Sequence, residues 1–418
     1  MLDRVVTIVN ETGAVSLFLA VMILLLSAIL CGKLVTLVKL PKVVGEILGG
    51  FIIGPSVFGR LFPGLYEGLF LEPAGQGTAL SVFYWLGLVF LMFSAGYETD
   101  FKDIKSDAKI IGWLIGGATI PPFILGYLIS DRFFADYYLG AAGNRLVFNI
   151  IFAIAASVTS LPVISKIFMD LGLIRHRFAR IILATATLQD LFLWIILSVA
   201  TSIITNDAVV YSSIVLHIVI TLTMFVFAML VMPRVQKLRI TDKFPFMAYD
   251  SFIFAVCFFF IYIGGLFNVN IMYSAFVAGM VYKNARREDA VASQTKLKDL
   301  CLAFFTPVYF AIVGLRLYLT SDFSLSRFLT FLSIAFALEI IGCMIAMKCI
   351  RLDWLTCLNF GVAMNARGGP GIVLASVAFD LGVINYEFFC VLVFTVLITS
   401  AMAGYWIGFV NKKGKLLS

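Results

Sequence analysis

The sequence predicts an all-α polytopic membrane protein of about thirteen transmembrane helices, with inverted repeats and two crossing discontinuous helices. Three observations carry that expectation. The 418 residues are 61% hydrophobic and 13% charged, with a mean hydropathy of +1.03. Soluble domains hold about 45–50% apolar and about 25% charged residues. Apolar runs long enough for a bilayer core of about 30 Å alternate with short polar loops. Basic residues fall on alternate sides of those runs.

In chain order the apolar segments lie at 14–38, 42–58, 80–97, 108–130, 146–168, 178–204, 209–232, 248–266, 269–284, 299–319, 327–347, 353–379 and 385–410. The first is too long for a signal-peptide core and carries no cleavage site, so it is read as retained. With the N-terminus outside and the C-terminus cytoplasmic, 24 of the 31 Lys and Arg residues flank the inner ends and 6 the outer ends. Arg367 alone stays inside a span. Cytoplasmic loops carry the excess of Lys and Arg. Merging any pair of segments would invert every later loop and spoil this asymmetry.

Several classes are excluded. The net charge of +7 is spread between apolar runs, and no basic tract is interleaved with exposed aromatics, so no nucleic-acid partner is expected. The seven cysteines form no CxxC pair, and the two histidines, His176 and His217, form no HExxH, so no transition-metal site or cofactor is expected. No nucleophile–base pair or phosphate loop points to an enzyme.

Two spans are unsuited to simple lipid-facing helices. The fifth contains "AIAASVTSLPVISK" (153–166), in which Pro162 lacks an amide donor and Ser157, Thr159 and Ser160 compete for backbone hydrogen bonds. The twelfth contains "MNARGGPGIVLAS" (364–376), in which Asn365 and Arg367 precede two glycines, a proline and a third glycine. Irregular backbone at membrane depth survives only inside protein or beside a wet cavity. A kink or a close-packing site is the alternative for each span alone. The two run in opposite directions, seven helices apart, so helices 4–6 and 11–13 form opposed three-helix units. Interrupted segments at matching places of such repeats point to a secondary transporter's binding site.

Asp190 of "LQD" (188–190) lies about 12 residues from the inner end of helix 6, or about 18 Å along it. An acid at mid-membrane costs about 2.5–3.5 kcal/mol on insertion scales and normally faces a bundle interior or water. A structural carboxylate is the alternative. As a functional group, one carboxylate holds a proton or a monovalent cation, not both. Oxygens from Gln189, Ser157, Thr159, Ser160 and freed carbonyls of helix 5 are candidates to complete a cation's shell. That competition, joined to alternating access, is cation/proton exchange. A passive channel and a proton-coupled exporter of an organic solute are the competing expectations; the opposed repeats and the titratable site argue against the channel.

"LPKVVGEILGGFIIGPSVFG" (40–59), "LMFSAGYETDF" (91–101), "SVTSLPVISKIFMDLGLI" (157–174), "LQD", "FFTPVYFAIVGL" (304–315) and "MNARGGPGIVLASVAFDLGVI" (364–384) resemble the Kef-type branch of the monovalent cation/proton antiporter superfamily. The resemblance covers nearly the whole chain. It implies a transport core at 80–204 and 327–410, and scaffold or dimerisation elements at 14–58 and 209–319. It implies a homodimer among membrane lipids, in a bacterial plasma membrane. It assigns the ion-carrying acid to Asp190 and favours potassium, then sodium, as the cation. Kef proteins commonly carry a cytosolic nucleotide-binding regulatory domain; none is expected here, since the chain ends soon after its last span. Many relatives carry a Lys or Arg where Cys343 stands, and some an acid where Gly371 stands. The nearby intramembrane charge is Glu339, one turn before Cys343: a second carboxylate near the ion path, or a packing residue. Arg367 is expected to offset half-helix dipoles or hold a carboxylate, with snorkelling as the alternative. Glu46 is expected to pair with Lys42 or line a funnel. Glu98 and Asp100 are read as capping or loop-pairing groups, and His176 as a loop residue.

Overall fold

A backbone without water to bond must satisfy itself, and helix does this within one segment. The computed structural model describes residues 11–38, 40–71, 76–98, 107–205, 211–227, 252–267, 269, 271–285, 299–318 and 323–417. The basic loops at 99–106, 228–251 and 286–298, Asp100 and the Glu98 side chain lie outside the described residues, as do the ends of the expected seventh and eighth segments.

Each of the thirteen expected segments contains helix. They are α1 (Glu11–Leu37), α2 (Lys42–Ile53), α3 (Gln76–Glu98), α4 (Ala108–Phe133), α5a (Arg145–Ser157) with α5b (Leu161–Asp170), α6 (Arg177–Thr205), α7 (Tyr211–Val226), α8 (Phe252–Leu266), α9 (Ile271–Ala285), α10 (Thr306–Leu315), α11 (Leu325–Cys349), α12a (Trp354–Met364) with α12b (Gly369–Asp380), and α13 (Tyr386–Lys412). Among the described residues, six long helical stretches are apolar enough by length and composition to cross a membrane, and seven shorter apolar helices accompany them. Asn144, Ser324, Asp353 and Asn385 each cap the helix that follows, accepting from the amide three residues on.

The second segment is shorter than expected. Its regular helix stops at Ile53, before Gly54 and Pro55, and the chain continues through short helical turns at Phe58–Leu61 and Pro63–Tyr66 into a wide turn at Glu67–Leu71. Proline disfavours helix in the residue before it, which puts the stop at Gly54.

The described residues divide into two compact units. One holds α1, α2, α3 as far as Phe90, and α10. Small residues set its packing: a Cβ at Gly45 or Gly49 would fall on the backbone of α1, and one at Gly50 on the backbone of Ala311 in α10. Glycines let membrane helices approach this closely. The other unit holds the rest of α3, α4 to α9, and α11 to α13. There α4 meets α11 at Gly117 and Gly342, whose backbones touch. The loop after α4 is clasped to the loop before α13, with amides of Gly140 and Ala142 donating to Val383 and Gly382, and that of Asn385 to Tyr138. The candidate site residues all lie within this second unit.

Candidate functional site

The fifth and twelfth spans are each interrupted, at 158–160 and at 365–368. Ser160 closes the first gap as the N-cap of α5b, accepting from the Val163 amide, and Pro162 sits in the first turn where no donor is needed. Pro370 does the same at the start of α12b.

The two interruptions satisfy each other. The Ser160 amide donates to the Ala366 carbonyl at 2.7 Å. The Thr159 hydroxyl lies 2.6 Å from the Met364 carbonyl, the last residue of α12a. Gly368 is the point of closest approach: a Cβ there would fall on the side chains of Val163 and Ser160. These contacts replace helical hydrogen bonds that neither span can make alone, so each break stabilises the other.

Asp190 stands near the middle of the 29-residue α6 and is 3% exposed. The first amide of α5b, that of Leu161, faces the carboxylate, while its Oδ1 has no partner. The carboxylate borders a small cavity of about 10 Å³, room for about one water, which Val158 and Pro370 of the two broken spans also line. Gln189 points elsewhere. Its amide nitrogen donates to the Ser157 carbonyl at 2.6 Å and the Ala118 carbonyl at 3.2 Å, tying α6 to α5a and α4. Its Oε1 is buried without a partner.

Arg367, in the second gap, is 1% exposed. Its Nη1 donates to Ala155 O at 2.7 Å and its Nη2 to Ala156 O at 2.8 Å, the orphan carbonyls in the last turn of α5a. Nη2 also reaches Ala335 O at 3.0 Å and Glu339 Oε2 at 3.1 Å, both on α11. It therefore offsets the negative end of a half-helix and holds a carboxylate at once, and it does not snorkel. Glu339 Oε1 completes the cluster, 3.0 Å from the Thr159 hydroxyl. Fully buried, Glu339 joins both gaps through one carboxylate. Among the described residues, no hydrogen bond or ion pair joins it or Arg367 to Asp190.

The remaining candidates separate. Ser157 donates its hydroxyl to Ala153 O at 2.8 Å, leaving the oxygen's lone pairs. Asn365 donates to Gly361 O and Phe336 O, tying the end of α12a to α11, and its Oδ1 has no partner. Cys343 is buried on α11. Glu46 pairs with Lys42 at 3.0 Å in the first unit, and His176 accepts from the Phe178 amide beside the start of α6. The functional groups that residue types did not announce are backbone ones: the Leu161 amide and the carbonyls of Ala118, Ala155, Ala156, Ala335 and Met364. Only the orphan carbonyls before a proline break carry any signal in sequence.

The chain matches the family described as sodium/hydrogen exchanger, transmembrane, over residues 21–413. It belongs to that family. Among relatives, it is 28% identical over 415 residues to "K(+)/H(+) antiporter 1" of Saccharomyces cerevisiae, covering 94% of this chain and 46% of that protein. The chain thus spans about half of that relative's length. It is 25% identical over 408 residues to "Na(+)/H(+)-K(+) antiporter GerN" of Bacillus cereus, covering 95% of this chain and 98% of that one. The solved structure of the sodium proton antiporter MjNhaP1 from Methanocaldococcus jannaschii matches with a TM-score of 0.60 and 14% identity, over 95% of this chain and 99% of that one. At that identity the likeness establishes the sodium/hydrogen exchanger fold for this chain, an integral membrane protein.

Proposed function

We propose that this protein is a secondary active antiporter, exchanging a monovalent cation for a proton by alternating access, with the two competing for Asp190. The observation that carries the reading is the Asp190 carboxylate: buried in mid-helix, one oxygen unpartnered, and bordered by both interrupted spans. A carboxylate in that setting is stabilised by a proton, or by a cation shed of most of its water. The Gln189 Oε1, also without a partner, and the lone pairs of Ser157, Thr159 and Ser160 are the candidates to complete a cation's shell. Arg367 and Glu339 compensate each other's charge and Asn365 braces α12a; with Asp190 as the single exchanging group, the stoichiometry is one for one.

Within the family we place the chain in the Kef-type branch, on the Gln189–Asp190 pair and the motifs around both gaps. Potassium is the first cation and sodium the second. The transport core is 80–204 with 327–410, and the scaffold 14–58 with 209–319. The protein works as a homodimer in a bacterial plasma membrane, N-terminus outside and C-terminus cytoplasmic, the orientation the basic residues favour.

The test is reconstitution of the full chain into proteoliposomes with an imposed pH gradient. Potassium or sodium is expected to dissipate the gradient, and Asp190→Asn to abolish that response while the protein elutes as the same folded species. Retained exchange in Asp190→Asn removes Asp190 as carrier; response to neither cation removes the antiport reading.

A further inference from the structure

The cavity beside Asp190 is one-sided. Its other lining side chains are apolar, among them Ile154, Leu193, Trp194, Leu197 and Leu374. Leu193, Trp194 and Leu197 follow Asp190 along α6, Ile154 precedes the gap in α5a, and Leu374 follows the gap in α12b. These three helix portions converge on the junction from the side of the α6 C-terminus. All five residues are nearly fully buried. The approach to the carboxylate from that side is therefore closed by side chains, with about 10 Å³ left, space for about one water. A water there would find the Asp190 carboxylate as its one polar side chain, whereas a buried water ordinarily makes about three hydrogen bonds. The plug is dry.

Trp194 is placed to close it. It stands four residues after Asp190, so the two side chains share one face of α6, one above the other. Its ring is the largest of the lining groups and is 4% exposed. The indole has one polar atom, a donor with nothing to offer a proton or cation as an acceptor.

We propose that Trp194, with Leu197 lining the same cavity, is the gate residue that seals the ion path on the α6 C-terminal side of Asp190 and so keeps exchange coupled. The proposal rests on the antiport reading above. A proton or cation released from Asp190 in this state leaves by the opposite side, and the seal must part for the other half of the cycle. Shrinking the indole widens a cavity that already holds room for about one water into one that holds several, giving protons a path that needs no conformational change.

The experiment compares proton leak with cation-driven exchange in proteoliposomes of the full chain, for the parent, Trp194→Ala, Trp194→Phe, Leu197→Ala, and Trp194→Ala combined with Asp190→Asn. Trp194→Ala is expected to collapse an imposed pH gradient without cation about tenfold faster than the parent, equivalent to lowering a barrier by about 1.4 kcal/mol. Trp194→Phe is expected to stay within about twofold of the parent. The leak is expected to vanish in the combined variant, a dependence that mere loosening of the fold would not produce. Leu197→Ala opens the same plug one turn further on and serves if Trp194→Ala fails to fold. Parent-like tightness in the folded variants overturns the gate while leaving antiport intact. A leak that persists without Asp190 also overturns it, since the opened path then bypasses the site. A parent that responds to neither cation removes the antiport reading itself, and the gate with it.

Discussion

Removing Arg367 should damage this protein more than removing its partner. In Arg367→Met the side chain keeps its reach but loses every donor. Glu339 is then left fully buried with no counter-charge, and Ala155 O, Ala156 O and Ala335 O lose their partner. At 3.1 Å and an effective dielectric of about 20, the lost attraction is about 5 kcal/mol. Measured costs of breaking one side of a buried pair are about 3–5 kcal/mol. Each orphaned carbonyl adds about 1 kcal/mol, less where the losses overlap. A net loss on the order of 5 kcal/mol follows, and a fall in Tm on the order of 10 °C.

Glu339→Gln should cost less, because an amide oxygen still accepts from Arg367 and the three carbonyls keep their donor. The double variant should recover on the order of 2 kcal/mol relative to Arg367→Met, since the stranded charge has gone. The assay is thermal unfolding of the four proteins in one detergent, read as a double-mutant cycle. A Tm for Arg367→Met within about 2 °C of the parent would refute the reasoning. So would a double variant less stable than Arg367→Met, for then the two residues are not compensating each other.

Three further outcomes are expected. Gly368→Ala drives a Cβ into Val163 and Ser160; it should cost about 1–3 kcal/mol and depress exchange, while Gly116→Ala, with open space around it, should be neutral in both assays. Asn359→Ala strips partners from Lys415 O, Leu416 O and the Trp406 indole, and should speed proteolytic trimming of the C-terminal segment before it alters the rest of the molecule. If proton and cation compete for Asp190, the KM for cation should rise as the pH is lowered, by up to about tenfold per unit, with the limiting rate unchanged; a falling rate at constant KM would place the proton elsewhere.

The class of the molecule was legible because hydropathy and basic-residue asymmetry need no tertiary information. The two interruptions were legible because they coincide with proline, glycine and hydroxyl residues. Proline alone would have misled. Pro121 and Pro122 sit inside α4, which runs unbroken from Ala108 to Phe133. What distinguishes Pro162 is the hydroxyl run before it and a second gap whose Ala366 carbonyl accepts from the Ser160 amide. The roles of individual candidates were less visible. Gln189 reads as an oxygen donor to a cation, yet its nitrogen spends both hydrogens on backbone carbonyls of α4 and α5a. Glu339 on α11 and Arg367 in the gap of the twelfth span lie 28 positions apart. No periodicity links them, and only the folded chain brings them within contact. The Leu161 amide that meets Asp190 belongs to a residue whose side chain gives no hint of it.

Those backbone groups explain why two carboxylates and one guanidinium sort as they do. A half-helix ends in unpaired carbonyls and begins with unpaired amides, and the corresponding partial charges are about −0.5 and +0.5. Arg367 sits on the carbonyl end of α5a, and Asp190 meets the amide at the start of α5b. The same interruption thus offers its negative pole to Arg367 and its positive pole to Asp190, three residues of gap apart. Glu339 meets neither pole; it pairs with Arg367 from α11, so that the guanidinium has its counter-charge without Asp190. Had Arg367 faced Asp190 directly, an ion pair would compete with any arriving cation, and the carboxylate would hold its charge without cargo. Spending Arg367 on Glu339 and the α5a carbonyls leaves Asp190 with a single weak backbone donor, a free oxygen and a need for a positive partner, which is what a site must have if a proton and a cation are to be its alternatives.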